Sequence, residues 1–501
     1  MCLCGLKIEY MERSSGILLH ISSLPGSDGI GSLGKEAFLF VDFLAKTKQK
    51  LWQILPLCPT GYGNSPYQCY SAFAGDPLFI DIQQLVADRL ISKDSVIDQH
   101  FKVKKVEFEK VEEWKMFLFH EAFTSFKNNF DRYKEEYVTF MSHNSWWLDD
   151  YALFRSLKSK YGETVWNTWK KKLVTRDKHT LQEVFEELHV EIDFHRFLQF
   201  IFFRQWFKLK SYANSKGISI IGDIPLYVSL DSADVWANQD IFLLDSDSKP
   251  TQIGGVPPDY FSETGQLWGN PVFDWERVAE RDFDWWLARI HFNLRMFDQV
   301  RVDHFRGLES FWSVAAEAKT AVVGEWLPAK GHELFRKLKE KFGKLNIIAE
   351  DLGVITPEVK KLRVDFGLPG MKILQFAFGS DAANENLPHN YDSNFVVYTG
   401  THDNDTTLGW FNSIEKAERK MLRKYLKGNG KEMVRQMTEY AWASAAMMAL
   451  IPMQDLLGLD TEARMNTPGT ATGNWTWRFA WPQVRSNHQY FLREITKKYN
   501  R

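Results

Sequence analysis

The sequence predicts an α/β fold, a closed (β/α)8 TIM barrel with a helical insertion and long loops on its active face. Three observations predict it. Eight short hydrophobic runs of strand length alternate with amphipathic helical stretches over the 501 residues, the pattern of a parallel sheet covered on both faces. Four of the runs lead into a carboxylate, at Asp223, Asp303, Glu350 and Asp403, and in such a barrel the C-terminal strand ends converge on one open face. No cluster of strand-like runs follows the last of the eight, so no C-terminal β-sandwich is expected.

The runs are residues 16–22, 51–57, 218–224, 299–303, 346–350, 371–376, 395–401 and 447–453. Each is read from its length, its branched or apolar content and its flanking turn residues. Residues 331–342 and 357–366 carry the helical period between runs. Residues 84–200 hold no barrel strand. Their Lys, Glu, Phe and Trp recur at helical spacing, as from Glu107 to Trp114, and predict a helical insertion subdomain after the second strand. A long helix closes it into the third. The whole of 1–501 is otherwise expected to form a single catalytic barrel. Residues 230–289 are long for a loop, and long loops inside compact folds are usually functional.

Composition narrows the function. Basic side chains number 62 against 64 acidic ones, which gives no electrostatic reason to expect nucleic acid or an acidic membrane surface as a partner. Aromatic residues are 15% of the chain, with 19 Trp and 38 Phe. Most belong in a core, but pyranose rings also stack on such faces. Convergent carboxylates in an aromatic-rich chain therefore point to chemistry on sugars. Cys2, Cys4, Cys58 and Cys69 do not make a disulfide framework, which favours a reducing compartment. No apolar stretch at the N-terminus suits a signal peptide, and Met11 is a candidate start with residues 1–10 as a lead. The most apolar segment, 441–453, is too short to span a bilayer. A cytoplasmic protein is expected. No His–Cys–carboxylate cluster has metal-ligand spacing and no phosphate cradle is present, so neither metal nor cofactor is expected.

Retaining cleavage of a glycosidic bond needs a carboxylate nucleophile and a carboxylic acid about 5–5.5 Å apart. Asp303 and Glu350, on the fourth and fifth runs, meet that demand. Arg301 and Asp303 share one side of a strand, so the arginine is expected to hold the aspartate ionised. Glu350 needs a raised pKa to carry a proton. Asp403 is placed to bind sugar hydroxyls. For Asp223, Asp351 and Asp405 the competing expectation is capping of the next helix. Trp206, Trp285, Trp286 and Trp312 are expected to pack in the core, and His195 and His291 to be structural. Trp268, Trp475 and Trp477, in Gly- and Pro-rich loops, are expected to be exposed.

Residues 301–307 (Arg-Val-Asp-His-Phe-Arg-Gly), 349–353 (Ala-Glu-Asp-Leu-Gly) and 399–406 resemble signatures of the amylomaltases, also called disproportionating enzymes or 4-α-glucanotransferases. Residues 61–68, 254–275 and 465–477 resemble the same family, in family order. The resemblance implies a nucleophile at Asp303, an acid/base at Glu350 and a transition-state stabiliser at Asp403. It implies that Arg301 and His402 orient those groups and bind sugar, and that Asp223 is a sugar-binding carboxylate. Asp259, with Tyr260 and Phe261, matches a mobile loop over the site, followed by Gln266, Trp268 and Asn270. Asn466 matches a second loop. Tyr67 matches an aromatic platform and Tyr62 a secondary glucan contact. The implied activity is transfer of an α-1,4-glucan segment to another glucan or glucose by retaining double displacement. Maltodextrin and glucans derived from starch or glycogen are the implied partners. An α-glucan hydrolase on the same barrel is the alternative. A lid at 254–261 is expected to exclude water, with Gly254 and Gly255 as hinges.

Overall fold

The computed structural model describes residues 13–97, 99–258 and 262–501. The strands in chain order begin with β1 (Ser14–Leu18), β2 (Leu51–Gln53) and β3 (Ser219–Ile224). An excursion adds β4 (Gln252–Val256) and β5 (Gln266–Pro271) before β6 (Gln299–Val302). A second adds β7 (Ser310–Ala315) and β8 (Glu325–Pro328) before β9 (Ile347–Ala349). Then follow β10 (Gly370–Ile373), β11 (Phe395–Tyr398) and β12 (Met448–Pro452). Among the described residues no strand lies beyond Pro452.

Eight of these strands form one parallel sheet in the order β10-β11-β12-β1-β2-β3-β6-β9. The first and last meet where Ala349 N donates to Pro369 O at 2.9 Å and Met371 N donates to Asp351 Oδ1 at 2.7 Å, so the sheet curls into the predicted barrel. All eight predicted runs supply a barrel strand, four of them ending three or four residues earlier than expected, where the chain leaves the ladder for the active-face loops.

Alternation explains what the barrel encloses. Ile221, Ile348, Met371, Ile373, Val396, Tyr398 and Leu450 pack on one another as an interior cluster. Their neighbours Ile220, Val300, Val302, Ile347, Val397 and Ile451 join the larger core between strands and helices. By the same period Asp223 lies on the face of Ile221, and Arg301, between Val300 and Val302, also points inward. Buried charges thus enter the barrel at its upper end.

Between β2 and β3 the chain forms long helices, Phe108–Asn128, Lys134–Lys160 and His189–Ser215. The last leads directly into β3. Apolar faces join them, with Phe126 and Phe197 ring centroids 4.9 Å apart. A wholly buried lysine ties them to the barrel: Lys115 Nζ donates to Leu78 O and Ile80 O at 2.8 Å each and lies 3.4 Å from Asp28. No helix among the described residues is long and apolar enough to cross a membrane.

The two excursions build a second, antiparallel sheet in the order β5-β4-β7-β8, which single-sequence periodicity did not indicate. It corrects the hinge expectation. Gly254 and Gly255 lie inside β4, paired with β7 at Ser313 and Trp312. A Cβ on Gly254 would stand 2.5 Å from the Tyr227 ring, and one on Gly255 2.3 Å from Gln266 O. These glycines permit close approach of ring and strand rather than bending. Asp259, Tyr260 and Phe261 lie outside the described residues.

Candidate active site

The centre of the site is Arg301. It is the register partner of Asp223 across the β3–β6 ladder, and its Nη1 lies 2.8 Å from each oxygen of that carboxylate. Two residues on, still on the same face, Asp303 Oδ1 accepts from Nη2 at 2.8 Å. One guanidinium therefore binds both carboxylates through separate nitrogens, which fixes its plane. Burial works against its charge, but Asp223 and Asp303 outweigh this and hold it well above the usual arginine range. Burial pushes Asp303 up to about 6; Arg301 opposes the rise, while Asp223 and Asp403 add to it. Arg301 favours the anion as the sequence predicts, but burial leaves Asp303 less acidic than an exposed aspartate.

Glu350 follows β9, and its backbone N–H donates to Val302 O at 3.1 Å. Its side chain is held by the turn that carries Asp303: His304 N donates to Glu350 Oε2 at 2.6 Å. His304 adopts φ 48° and ψ 47°, a left-handed conformation uncommon for a bulky residue. That conformation belongs to the turn that presents the amide to the carboxyl group. Burial raises the Glu350 pKa well above its ordinary value; Arg301 opposes this, and the neighbouring Asp303 charge adds to it.

Asp403 enters from the loop after β11. Asn466 Nδ2 donates to its Oδ1 at 2.6 Å, and Arg464 Nη2 donates to its carbonyl at 2.6 Å. His402 Nε2 lies 3.4 Å from Asp403 Oδ2. The imidazole is buried, which lowers its pKa against the pull of Asp403. Tyr67 closes the circuit. Its ring stacks on His402 at 5.2 Å and 11°, and its hydroxyl donates to Asp223 Oδ2 at 2.7 Å. Burial and then Asp223 hold that phenol protonated, well above its ordinary range.

A second wall gathers Gln266, Trp268 and Asn270 on β5. Gln68 Nε2 donates to Trp268 O at 3.1 Å and Asn270 Oδ1 at 2.7 Å, and Trp268 stands edge-on to His304 at 4.8 Å. Tyr62 is apart from these groups, 78% exposed in the turn Tyr62–Asn64, and no contact among the described residues joins it to the carboxylates.

The capping expectation does not hold. Asp223 is occupied by Arg301 and Tyr67. Asp351 accepts from Met371 N, and Arg363 Nε stands 3.0 Å from it. Asp405 accepts from Thr461 Oγ1 at 2.8 Å, while Thr406 caps the helix Thr407–Ser413. Trp475 and Trp477 are also corrected: they are buried. The loop folds back through Trp475 N to Met465 O, bringing Trp475 against Tyr67 at 5.9 Å and Trp477 against Phe479 at 6.5 Å. Trp206, Trp285 and Trp286 are buried as expected, while Trp312, expected in the core, and Trp268, expected to be exposed, are both half-buried. Sequence reasoning did not single out Gln68, His304 or Arg464. The first two lie inside stretches that resemble family signatures; nothing local marks the third. Among the described residues no group of three or more His, Cys, Asp or Glu is placed to hold a metal ion.

The family model described as 4-alpha-glucanotransferase matches residues 19–483. A 4-alpha-glucanotransferase of Thermus thermophilus is 46% identical over 497 residues, covering 97% of this chain and 99% of that protein. One of Synechocystis is 47% identical over 494 residues, covering 97% and 98%. Among solved structures, an amylomaltase from Streptococcus agalactiae in complex with acarbose superposes with a TM-score of 0.95 at 40% identity, covering 98% of this chain and 100% of that one.

Proposed function

The chain belongs to the 4-alpha-glucanotransferase family, and from that premise we propose how its residues divide the transfer of an α-1,4-glucan segment to the 4-hydroxyl of another glucan or glucose. Glu350 gives its proton to the glycosidic oxygen as Asp303 attacks the anomeric carbon. The reducing-end fragment leaves with that proton, and a β-glucosyl ester on Asp303 remains. An acceptor 4-hydroxyl then attacks the same carbon, its proton passes to Glu350, and the ester bond breaks. Two inversions restore the α configuration.

The observation that carries this assignment is the division of charge across one turn. Asp303, held by Arg301 and raised only to about 6, is an anion at neutral pH. Glu350, on the amide of the next residue, is pushed by burial well beyond its ordinary range, toward the protonated form an acid needs. Two carboxyl groups pushed apart in this way suit nucleophile and acid. Asp403, Asp223 and His402 bind hydroxyls of the sugar at the cleavage point, and Gln266, Trp268, Asn270, Asn466 and Tyr67 shape its walls. Tyr62 extends the binding surface, and Asp259 is a further glucan-binding residue.

We place the physiological substrate among maltodextrin and glucans derived from starch or glycogen, and the protein in the cytoplasm. Residues 84–200 serve as a helical subdomain of one catalytic barrel. Chromatography of maltotriose after incubation tests the proposal: glucose with a ladder of longer maltodextrins is the expected product set. Shorter sugars alone would make the chain a hydrolase.

A further inference from the structure

A cleft of about 310 Å³ shares no lining residue with the carboxylate cluster. Three segments wall it: Phe73 after β2, Trp146 and Asp150 on the helix Lys134–Lys160, and Asn238, Asp284 and Ala288 from the chain between β3 and β6. Its volume lies at the small end of the roughly 300–1,000 Å³ typical of ligand sites.

Trp146 sets its chemistry. It is 50% exposed, whereas its neighbour Trp147 is buried. The half-open ring is nonetheless fixed: Phe73 meets it edge-on at 4.8 Å and 77°, and Phe292 at 6.4 Å and 78°. The rim is polar, with the charges of Asp150, Arg281 and Asp284 already paired, and the buried Asp234 accepts from Ala72 N at 2.7 Å. Arg176 donates to Asp150 Oδ1 at 2.5 Å, and Arg281 donates to Asp284 at 2.9 Å and to Asn238 Oδ1 at 3.2 Å. The Asn238 amide spends a hydrogen on Asp234 O at 3.1 Å and has a second to give.

Paired charges offer an ionic ligand little net attraction. A fixed apolar face bordered by hydrogen-bonding groups suits a neutral polyhydroxylated ring, whose C–H face stacks while its hydroxyls reach the rim. We infer that this cleft is a second α-glucan-binding site, which holds a distant stretch of a long chain while another part is processed at the carboxylates. The choice of an α-glucan as occupant rests on the transfer function above.

The test is electrophoresis through gels containing soluble starch, in an Asp303→Asn background that cannot turn over the matrix. Trp146→Ala removes the stacking face, and Ala288→Phe fills the cleft without removing any of its packing. Both are expected to weaken starch retardation at least threefold relative to Asp303→Asn alone. Placed singly in the otherwise native chain, both should leave maltotriose transfer within twofold. If Ala288→Phe migrates with its parent, the cleft is not a glucan site, whatever Trp146→Ala does. Maltotriose transfer by the native chain tests the other reading separately: absence of longer products sinks the transfer function, while the gel still reports on the cleft.

Discussion

Arg301 and Asp223 face each other across the β3–β6 ladder as register partners, with one guanidinium nitrogen 2.8 Å from both carboxylate oxygens. Because that side of the arginine is committed to a carboxylate inside the barrel, its other nitrogen has a fixed direction toward Asp303. A side chain anchored on one carboxylate thus orients the other.

Arg301→Lys keeps the charge but cannot reach two carboxylates in one plane. Loss of a charge-assisted hydrogen bond of about 1.5–3 kcal/mol predicts a fall in kcat/KM of roughly 10- to 100-fold. In the parent, activity should fall as pH drops through about 6, where Asp303 takes up a proton. The variant gives that anion weaker support, so the acid limb should move to higher pH. A pH profile of maltotriose transfer checks this, and an unmoved limb would remove Arg301 from control of the Asp303 charge.

Asp303→Asn should lose roughly a thousandfold or more of the rate, because no attacking group remains. A fluorinated glucosyl donor that traps the intermediate should label the peptide containing Asp303 in the parent, read by mass spectrometry. Label on Glu350 or Asp403 would reassign the nucleophile.

Glu350→Gln should cost about 10²- to 10⁴-fold on maltotriose, whose leaving oxygen needs a proton. The first step on α-glucosyl fluoride should be far less affected, since fluoride departs with little help. Equal losses on the two donors would count against the acid role.

Lys115→Met tests the join between helices and barrel. It leaves the carbonyls of Leu78 and Ile80 and the Asp28 carboxylate without their buried cation. Breaking a buried pair in this way costs about 3–5 kcal/mol, to be read from urea unfolding. Maltotriose transfer per folded molecule should change little. A stability within 1 kcal/mol of the parent would show that the site relaxes or admits water.

Tyr67→Phe keeps the ring on His402 but removes the hydrogen bond to Asp223. A loss of about 1–2 kcal/mol in transition-state binding is expected, about tenfold in kcat/KM. Tyr67→Ala, which also removes the stacked face, should lose substantially more on maltotriose. Equal losses would assign the whole effect to the hydroxyl.

The strands and the carboxylates at their ends were legible because both depend on local pattern. A strand's side chains alternate over neighbouring residues, so runs such as 218–224 and 299–303 show where the chain enters the barrel and which residue leaves it at the top. The pairing of Arg301 with Asp303 was legible for the same reason, being two residues apart on one strand. Tertiary structure alone decided what depends on distant partners. Asp223 lies 78 positions from Arg301, and only the pairing of β3 with β6 makes them register partners instead of leaving Asp223 free to cap a helix. Arg464 reaches Asp403 across 61 positions, with no periodicity to announce it. Trp475 sits in a glycine-rich stretch that reads as exposed, yet it is buried because its loop folds back onto Tyr67 and His402. Gly254 and Gly255 read as hinges until β7 and Tyr227 are seen against them. The upward shifts of Asp303 and Glu350 belong to the same class. Desolvation and neighbouring charge set them, and both are supplied by residues from other strands that local sequence does not place.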